Sequence, residues 1–229
     1  MQHAALIIPA LNEAPVIGET LDGIPAGLFR QVIVADNGSD DGTAEIARQR
    51  GAIVVREPRR GYGAACLRAL KEVSPDCGAV VFMQADASES ADEAALLLAP
   101  IRDGRADLVL GSRVLGSAEP GSLLPHQRFG NWLATRLIRL LYGHVYTDLG
   151  PFRAIRIDAL GRLGMSEPDY GWTVEMQVRA LQKGLRIIEI PVRYGLRKAG
   201  ENKVSGRLGA SVKAGWKILW TVVRLAVRG

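Results

Sequence analysis

Val80-Val81-Phe82-Met83-Gln84-Ala85-Asp86-Ala87-Ser88 is an apolar run that ends abruptly in a polar cluster. A strand buried on both faces reads as a short continuous apolar run, whereas a half-exposed strand alternates. Open α/β sheets bind their ligands beyond the carboxyl ends of such strands. The stretch therefore predicts a central parallel strand with Asp86 at the mouth of a site.

The same pattern recurs on both sides of it. Ala4-Ala5-Leu6-Ile7-Ile8-Pro9 and Gln31-Val32-Ile33-Val34-Ala35 are apolar runs that stop at polar segments, Asn12-Glu13 and Asp36 to Thr43. Ala52 to Val55 and Asp107 to Gly111 give two further strands. Between them, helices are expected over 16–22, 43–50, 61–73 and 91–103. Strands alternating with helices of this length imply an α/β fold with a mostly parallel central sheet and right-handed crossovers. After Arg113 the rhythm changes: a Gly, Ser and Pro-rich loop over 116–125, helices over 127–142 and 171–183, a strand-like segment over 147–156, and a strand over 185–190. A basic loop over 194–207 precedes a final helix over 208–228.

Composition bounds the reading. The 229 residues suit one large domain, and 29 Lys+Arg against 24 Asp+Glu give a net charge of +5, which favours anionic partners without choosing among them. Cys66 and Cys77 make neither a metal spacing nor a disulfide framework, so a reducing, cytoplasmic compartment is expected. His3, His126 and His144 have no ligand spacing. The start of the chain lacks a basic segment before its apolar run, which argues against a signal peptide. No run of about 18 apolar residues lacks a charge, so no membrane span is expected. Nucleic-acid binding is disfavoured because the positive charge is not interleaved with an aromatic platform.

Three strand ends on one sheet edge then carry acids: Glu13, Asp36 and Asp86. Asp40 and Asp41 are explained as helix caps, but Asp36 directly follows four apolar residues. Such a rim suits a polyhydroxylated ligand or a hydrated cation, since Mg²⁺ and Mn²⁺ take oxygen ligands.

Pro9-Ala10-Leu11-Asn12-Glu13, Asp36-Asn37-Gly38-Ser39-Asp40-Asp41-Gly42-Thr43 and Gly61-Tyr62-Gly63-Ala64-Ala65 resemble the successive nucleotide-site motifs of family 2 glycosyltransferases of the GT-A, Rossmann-like fold. Gly111-Ser112-Arg113, Thr147 to Arg153, Gly171-Trp172 to Glu175, Glu189-Ile190-Pro191-Val192 and Arg197 to Lys203 fall in the order of the dolichol-phosphate-mannose-synthase-like, polyprenyl-phosphate branch. Each motif is weak alone, and their joint order over Ala4 to Gly206 is specific. The resemblance implies an inverting transfer of a sugar from a nucleoside-diphosphate sugar to an acceptor, with a polyprenyl phosphate as the branch's acceptor class. It implies that Pro9, Leu11, Asn12, Glu13, Asp36, Gly38, Gly61, Gly63, Gln84, Ala85, Asp86 and Arg113 contact the nucleotide sugar. Asp86 and Ser88 would hold Mg²⁺ or Mn²⁺, Arg113, Arg197 and Lys203 would meet the diphosphate, and Asp148 and Glu175 lie near the acceptor. Glu175 is otherwise an exposed helix position and Asp148 a turn cap. Gln84 departs from the Asp-x-Asp pattern, removing one charge from the metal set. That departure leaves a rival reading, a non-catalytic nucleotide-sugar-binding or scaffold protein.

The expected organisation is a GT-A domain over 1–207, with a nucleotide-sugar half over 1–113 and an acceptor half over 114–207, then an amphipathic helix over 208–229. On that helix Lys213, Lys217, Arg224 and Arg228 form one stripe in an otherwise apolar circumference. The stripe predicts a helix lying in a membrane surface with its cations toward anionic headgroups, peripheral at the cytoplasmic face. Packing on its own domain or in a homo-oligomer is the plainer alternative.

Overall fold

The apolar runs at 4–8 and 80–83 become the middle of a seven-stranded sheet. The structure is a computed structural model and describes residues 3–198 and 208–228, with only the backbone of residues 208–212 and 228. Strands β1 (His3–Ala10), β2 (Gln31–Asp36), β3 (Ile53–Arg56), β4 (Cys77–Phe82), β5 (Leu108–Ala118), β6 (Arg153–Arg156) and β7 (Ile187–Tyr194) lie in the order β3-β2-β1-β4-β6-β5-β7. Pairing is parallel except at β6, which runs antiparallel to both neighbours, with Ala154 opposite Val81 on one side and Val109 on the other.

Both faces of β1 are covered, so Leu6, Ile7 and Ile8 are all fully buried and the strand shows no polar alternation. Successive side chains still go to opposite faces. Ile7 packs with Ile33, Phe82 and Trp172, while Leu6 and Ile8 pack with Val34, Val81 and Leu97. The helices supply the two covers: α1 (Ala14–Asp22), α2 (Thr43–Gln49), α3 (Tyr62–Leu70), α4 (Ala94–Arg102), α5 (Pro125–Tyr142), α6 (Ile157–Leu163), α7 (Trp172–Gln182) and α8 (Leu208–Arg228).

The structure adjusts several expected boundaries. The helix expected from 91 opens with a 3-10 turn at Ala91–Glu93. Strand β5 continues to Ala118, into the segment expected as loop, because after a register shift it pairs again with β7 at Arg193 and Tyr194. Gly116 permits that return: a Cβ there would lie 2.1 Å from the Val192 carbonyl oxygen. Helix α6 was not expected, being a single short element that buries Ala159, Leu160 and Leu163. Helix α5 starts at Pro125 with the Gln127 side chain accepting the Leu124 N–H at 2.8 Å, and stops at Gly143, whose φ of 71° is a glycine conformation.

Helix α8 is tied into the domain. Val222 and Leu225 join the core beneath α5 and α7, and the Tyr142 hydroxyl donates to the Val222 carbonyl at 3.3 Å. Lys217 and Arg224 turn to Glu167, which is buried, at 3.1 and 3.3 Å. Two residues of the basic stripe expected to face outward thus find an internal partner.

Candidate active site

Because β1, β2 and β4 are parallel, their carboxyl ends share one edge and bring three loops together. Asn12, in the left-handed region at φ 49°, donates its N–H to Ser39 Oγ at 2.9 Å and accepts the Asp40 N–H at 3.1 Å. The Glu13 N–H reaches Thr43 Oγ1 at 2.8 Å, and Asp36 Oδ1 accepts the Ser39 N–H at 2.9 Å. Asn37 extends the weave to the loop after β3, donating to the Glu57 and Arg59 carbonyls at 3.0 and 2.8 Å and accepting the Gly61 N–H at 2.8 Å. Glu13 and Asp36 are consequently buried.

The turn after β4 is held by its own side chains. Asp86 Oδ1 accepts both the Ser88 hydroxyl at 2.5 Å and the Ser88 N–H at 3.1 Å. This closure places Ala87 at φ 56°, a conformation that costs an alanine about 1 kcal/mol or more. Gln84 Oε1 lies 3.3 Å from Ser88 Oγ and accepts the Tyr194 hydroxyl at 3.4 Å. The chain leaving β7 folds over this turn. Arg197 donates to Asp86 Oδ2 at 3.4 Å and to both oxygens of Glu13, and Lys198 pairs with Glu19. Pro9 and Ala35 sit side by side at the ends of β1 and β2, and the Ala85 carbonyl accepts the Thr20 hydroxyl at 2.8 Å. Gly38, at φ 85°, shapes the turn after Asp36, while Leu11 is half-buried at the end of β1.

Sequence reasoning missed Glu89. It is buried, and its Oε2 accepts the Gln84 N–H at 2.7 Å while Oε1 has no hydrogen-bond partner among the described residues. Burial pushes its carboxyl up to about 8, against the Gln84 hydrogen bond and with reinforcement from Asp86. A Glu flanked by two serines carries no sign of this; its burial comes from pairing with Tyr194 of β7.

Arg113 and Asp148 form the second cluster. Asp148 Oδ2 accepts the Arg113 N–H at 2.9 Å and Nε–H at 2.8 Å, and Oδ1 accepts Nη2–H at 2.8 Å. The turn that presents Asp148 is built by Glu189, which accepts the Thr147 N–H at 2.9 Å, its hydroxyl at 2.9 Å and the Asp148 N–H at 3.2 Å. Asn131 of α5 braces it by donating to the Thr147 carbonyl at 3.1 Å and accepting the Leu149 N–H at 2.9 Å. The guanidinium also lies over the Tyr194 ring, 5.1 Å from its centre, so one tyrosine touches both clusters. Burial alone would weaken Arg113's hold on its proton, and Asp148 overrides this and strengthens it.

Other expected site residues are placed elsewhere. Glu175 is fully buried, a correction to its expected exposure, and its carboxylate accepts the N–H groups of Ser166 and Glu167 at 3.0 and 2.7 Å and Arg179 Nε–H at 3.0 Å. Those bonds make it a brace for the segment ahead of α7. Gly61 and Gly63 allow that same segment to approach: an added Cβ would lie 2.2 Å from the Pro168 oxygen and 2.0 Å from the Glu167 oxygen. Lys203 lies outside the described residues.

A cavity of about 550 Å³ opens beside the second cluster. Arg113, Asp148 and Thr147 form one wall, and α5 supplies Arg128, Trp132, Arg136 and Arg139 on another. An apolar, arginine-bearing cavity next to a buried ion pair suits a ligand with an anionic head and a hydrocarbon body.

The sheet order, the three tied strand-end loops and the cavity define a nucleotide-sugar transferase architecture of the GT-A kind, and comparison with known proteins agrees. The profile of glycosyl transferase family 2 matches residues 5–164, and the chain belongs to that family. An uncharacterized glycosyltransferase of Mycobacterium tuberculosis is 36% identical over 219 residues, covering 93% of this chain and 96% of the relative. The dolichyl-phosphate hexose transferase of Haloferax volcanii is 34% identical, covering 90% and 89%. The undecaprenyl-phosphate mannosyltransferase of Micrococcus luteus is 29% identical, covering 87% and 86%. Among solved structures, the glucosyl-3-phosphoglycerate synthase of M. tuberculosis, in complex with Mn²⁺, UDP and glucosyl-3-phosphoglycerate, superposes with a TM-score of 0.80 at 24% identity, over 99% of this chain and 80% of that one. The protein is a family 2 glycosyltransferase, an enzyme of the hexosyltransferase class.

Proposed function

We propose that the enzyme transfers a hexosyl group, with inversion, from a nucleoside-diphosphate sugar to a polyprenyl phosphate. The observation that carries the acceptor class is the state of the two candidate bases. Both oxygens of Asp148 are engaged by Arg113, and the carboxylate of Glu175 is consumed by residues 166, 167 and 179. A hydroxyl acceptor needs a general base within reach, whereas a phosphate is already an anion and needs none. The cavity wall of three arginines and a tryptophan suits such a head and its chain. Relatives named for dolichyl-phosphate and undecaprenyl-phosphate transfer support the same reading.

In this reading the nucleotide lies along the ends of β1 and β2, with Glu13, Asp36 and the 12–13 and 36–38 backbone facing base and ribose. The diphosphate lies at Asp86, and the acceptor phosphate enters beside Arg113. An acceptor oxygen attacks the anomeric carbon as the bond to the diphosphate breaks, so the leaving group gains negative charge. Arg113, fixed by Asp148, and Arg197 are cations positioned to offset it; preorganised charge of this kind contributes more in a water-poor site than in solvent. Ser88 Oγ lies within hydrogen-bond reach of both Gln84 Oε1 and Asp86 Oδ1; all three are hard oxygen donors, a set that fits Mg²⁺ or Mn²⁺ with one protein charge. When bound, such a cation would supply positive charge to offset that of the diphosphate. Among the described residues no group of three or more His, Cys, Asp or Glu could hold a metal, so this site depends on neutral oxygens.

The test is transfer of labelled sugar from a panel of UDP- and GDP-sugars to undecaprenyl phosphate in detergent, beside 3-phosphoglycerate and no acceptor. Label in the organic phase supports the proposal. Label only on the soluble acceptor, or hydrolysis alone, sinks the lipid-acceptor reading.

A further inference from the structure

Two helices of this chain, α5 and α8, contain no acidic residue, although the chain as a whole carries 24. They pack on one another through Tyr142 and Val222. With Lys217 and Arg224 drawn in to Glu167, α8 turns a different stripe to solvent. Trp216, Trp220, Val223 and Val227, spaced four, three and four, are exposed, Trp216 at 69% and Val227 at 81%. Helix α5 adds Phe129, Trp132 and Leu140, the last at 80%. Large apolar groups in such number do not normally face water on a monomer.

We infer that the outer faces of α5 and α8 form one docking surface for an anionic lipid bilayer, which deepens the lipid-acceptor reading and rests on it. Charge selects this occupant. The exposed cations among the apolar groups are Arg128, Arg136, Arg139 and Lys213, with no acid on either helix to offset them. Pairing this face with a second copy would set like charges opposite one another, whereas phosphate headgroups complement them. Tryptophan rings suit the boundary between headgroup and acyl chain, with arginine stems lying along apolar surface and guanidinium heads in the polar layer. No helix among the described residues is long and apolar enough to cross a membrane, so the contact is interfacial.

The geometry also gives the contact a purpose. Arg128, Trp132, Arg136 and Arg139 of α5 line the same cavity as Arg113. A chain resting on α5 lets a lipid phosphate pass from the headgroup layer into the cavity while its tail stays in the bilayer. The sequence alone predicts that the whole Lys and Arg stripe faces the lipid headgroups. The structure reverses that assignment for Lys217 and Arg224.

The experiment is flotation of the full chain with vesicles of phosphatidylcholine alone or with phosphatidylglycerol, comparing the native protein with the double variant Trp216→Ser/Trp220→Ser. Both tryptophans are exposed, so unchanged thermal unfolding serves as the folding check. Expected is binding to phosphatidylglycerol vesicles that weakens with salt and falls about tenfold or more in the variant. Transfer to a short, water-soluble prenyl phosphate stays at the native rate in the variant, because these residues lie outside the cavity wall. Native protein that does not float, or a variant that floats equally well, overturns the inference. So does a native dimer without lipid that becomes a monomer in the variant, since a second copy then covers the face. Absence of transfer to any prenyl phosphate, with flotation intact, counts against the acceptor reading alone.

Discussion

Asp148→Asn removes a charge and almost no volume, so its cost can be worked from the bonds at that carboxylate. Oδ2 accepts two N–H groups of Arg113, and Oδ1 accepts Arg113 Nη2–H at 2.8 Å and the Leu149 N–H at 2.8 Å. An asparagine can place its oxygen on only one side. In either orientation two donors then face an NH₂ group, one of them on the charged guanidinium. A lost charged hydrogen bond costs about 1.5–3 kcal/mol and a neutral one about 1 kcal/mol. The Asp148 side chain is 2% exposed and that of Arg113 15%, so water replaces little of this. The expected loss is therefore about 1.5–4 kcal/mol, the lower end for the orientation that leaves the Leu149 N–H to its other acceptor, Asn131 Oδ1 at 2.9 Å.

Urea unfolding read by tryptophan fluorescence measures it, with the midpoint falling at constant slope and the thermal midpoint dropping by roughly 10 °C. Transfer should fall by about 10²- to 10³-fold in kcat/KM, because Arg113 loses the contact that aims it. Asp76→Asn breaks the ion pair with Arg30, in which both side chains are about half exposed, and should leave the midpoint in place. A stability loss under about 1 kcal/mol for Asp148→Asn refutes the argument that the buried pair fixes Arg113.

Three further outcomes follow from particular contacts. Gly63→Ala forces a Cβ to 2.0 Å from the Glu167 oxygen and should destabilise by about 3 kcal/mol or more, whereas Gly161→Ala, with nothing within 4 Å, should gain about 0.5–1 kcal/mol in helix α6; paired thermal melts decide this. Hydrogen bonding from Arg186 holds Asp107 down to about 2, below its ordinary 3.8, so its stabilisation is present above about pH 4 and is lost as pH falls from about 4 to about 2. Asp107→Asn should flatten that acid limb by roughly 1 kcal/mol after allowance for the exposed Arg186 side chain, and an unchanged limb in acid titration counts against the assignment. Gln84→Asp should lower the Mn²⁺ concentration for half-maximal transfer about tenfold and reduce stability in metal-free buffer; no change in either measurement removes residue 84 from the cation site.

The first half of the fold was legible because each buried strand ends in a burst of turn residues, a local signal. Asp36 follows Val34-Ala35, and Gln84-Ala85-Asp86 follows Phe82-Met83, without any need to know what packs on them. The second half is built from distant partners. Strand β6 is four residues, Arg153-Ala154-Ile155-Arg156, and its flanking arginines break any strand period. Arg153 is buried all the same, donating to the Thr173 carbonyl at 2.8 Å, while Arg156 pairs with Asp107 at 3.0 Å. Helix α8 shows the same limit. Its periodicity fixes which residues share a stripe, but only Glu167, far away in sequence, decides which stripe turns inward. Gly61 and Gly63 signal close approach by a backbone, and the sequence does not say that the backbone belongs to residues 167–168.

Residue 84 illustrates how local pattern and long-range charge combine. Against the Asp-x-Asp pattern, Gln84 reads as a loss. In the structure its backbone N–H is bound by Glu89, a buried carboxyl that feels the Asp86 charge, and its amide oxygen accepts the Tyr194 hydroxyl. A carboxylate at 84 would add a third acid to a turn that already holds Asp86 and Glu89, with Arg197 already shared between Asp86 and Glu13. Like charges at such range oppose folding unless a cation is bound. A neutral oxygen donor at 84 keeps a metal ligand while leaving Glu89 tolerable. The departure at residue 84 and the unexpected burial of residue 89 are thus one electrostatic arrangement, and the metal-free stability of Gln84→Asp reads out their coupling directly.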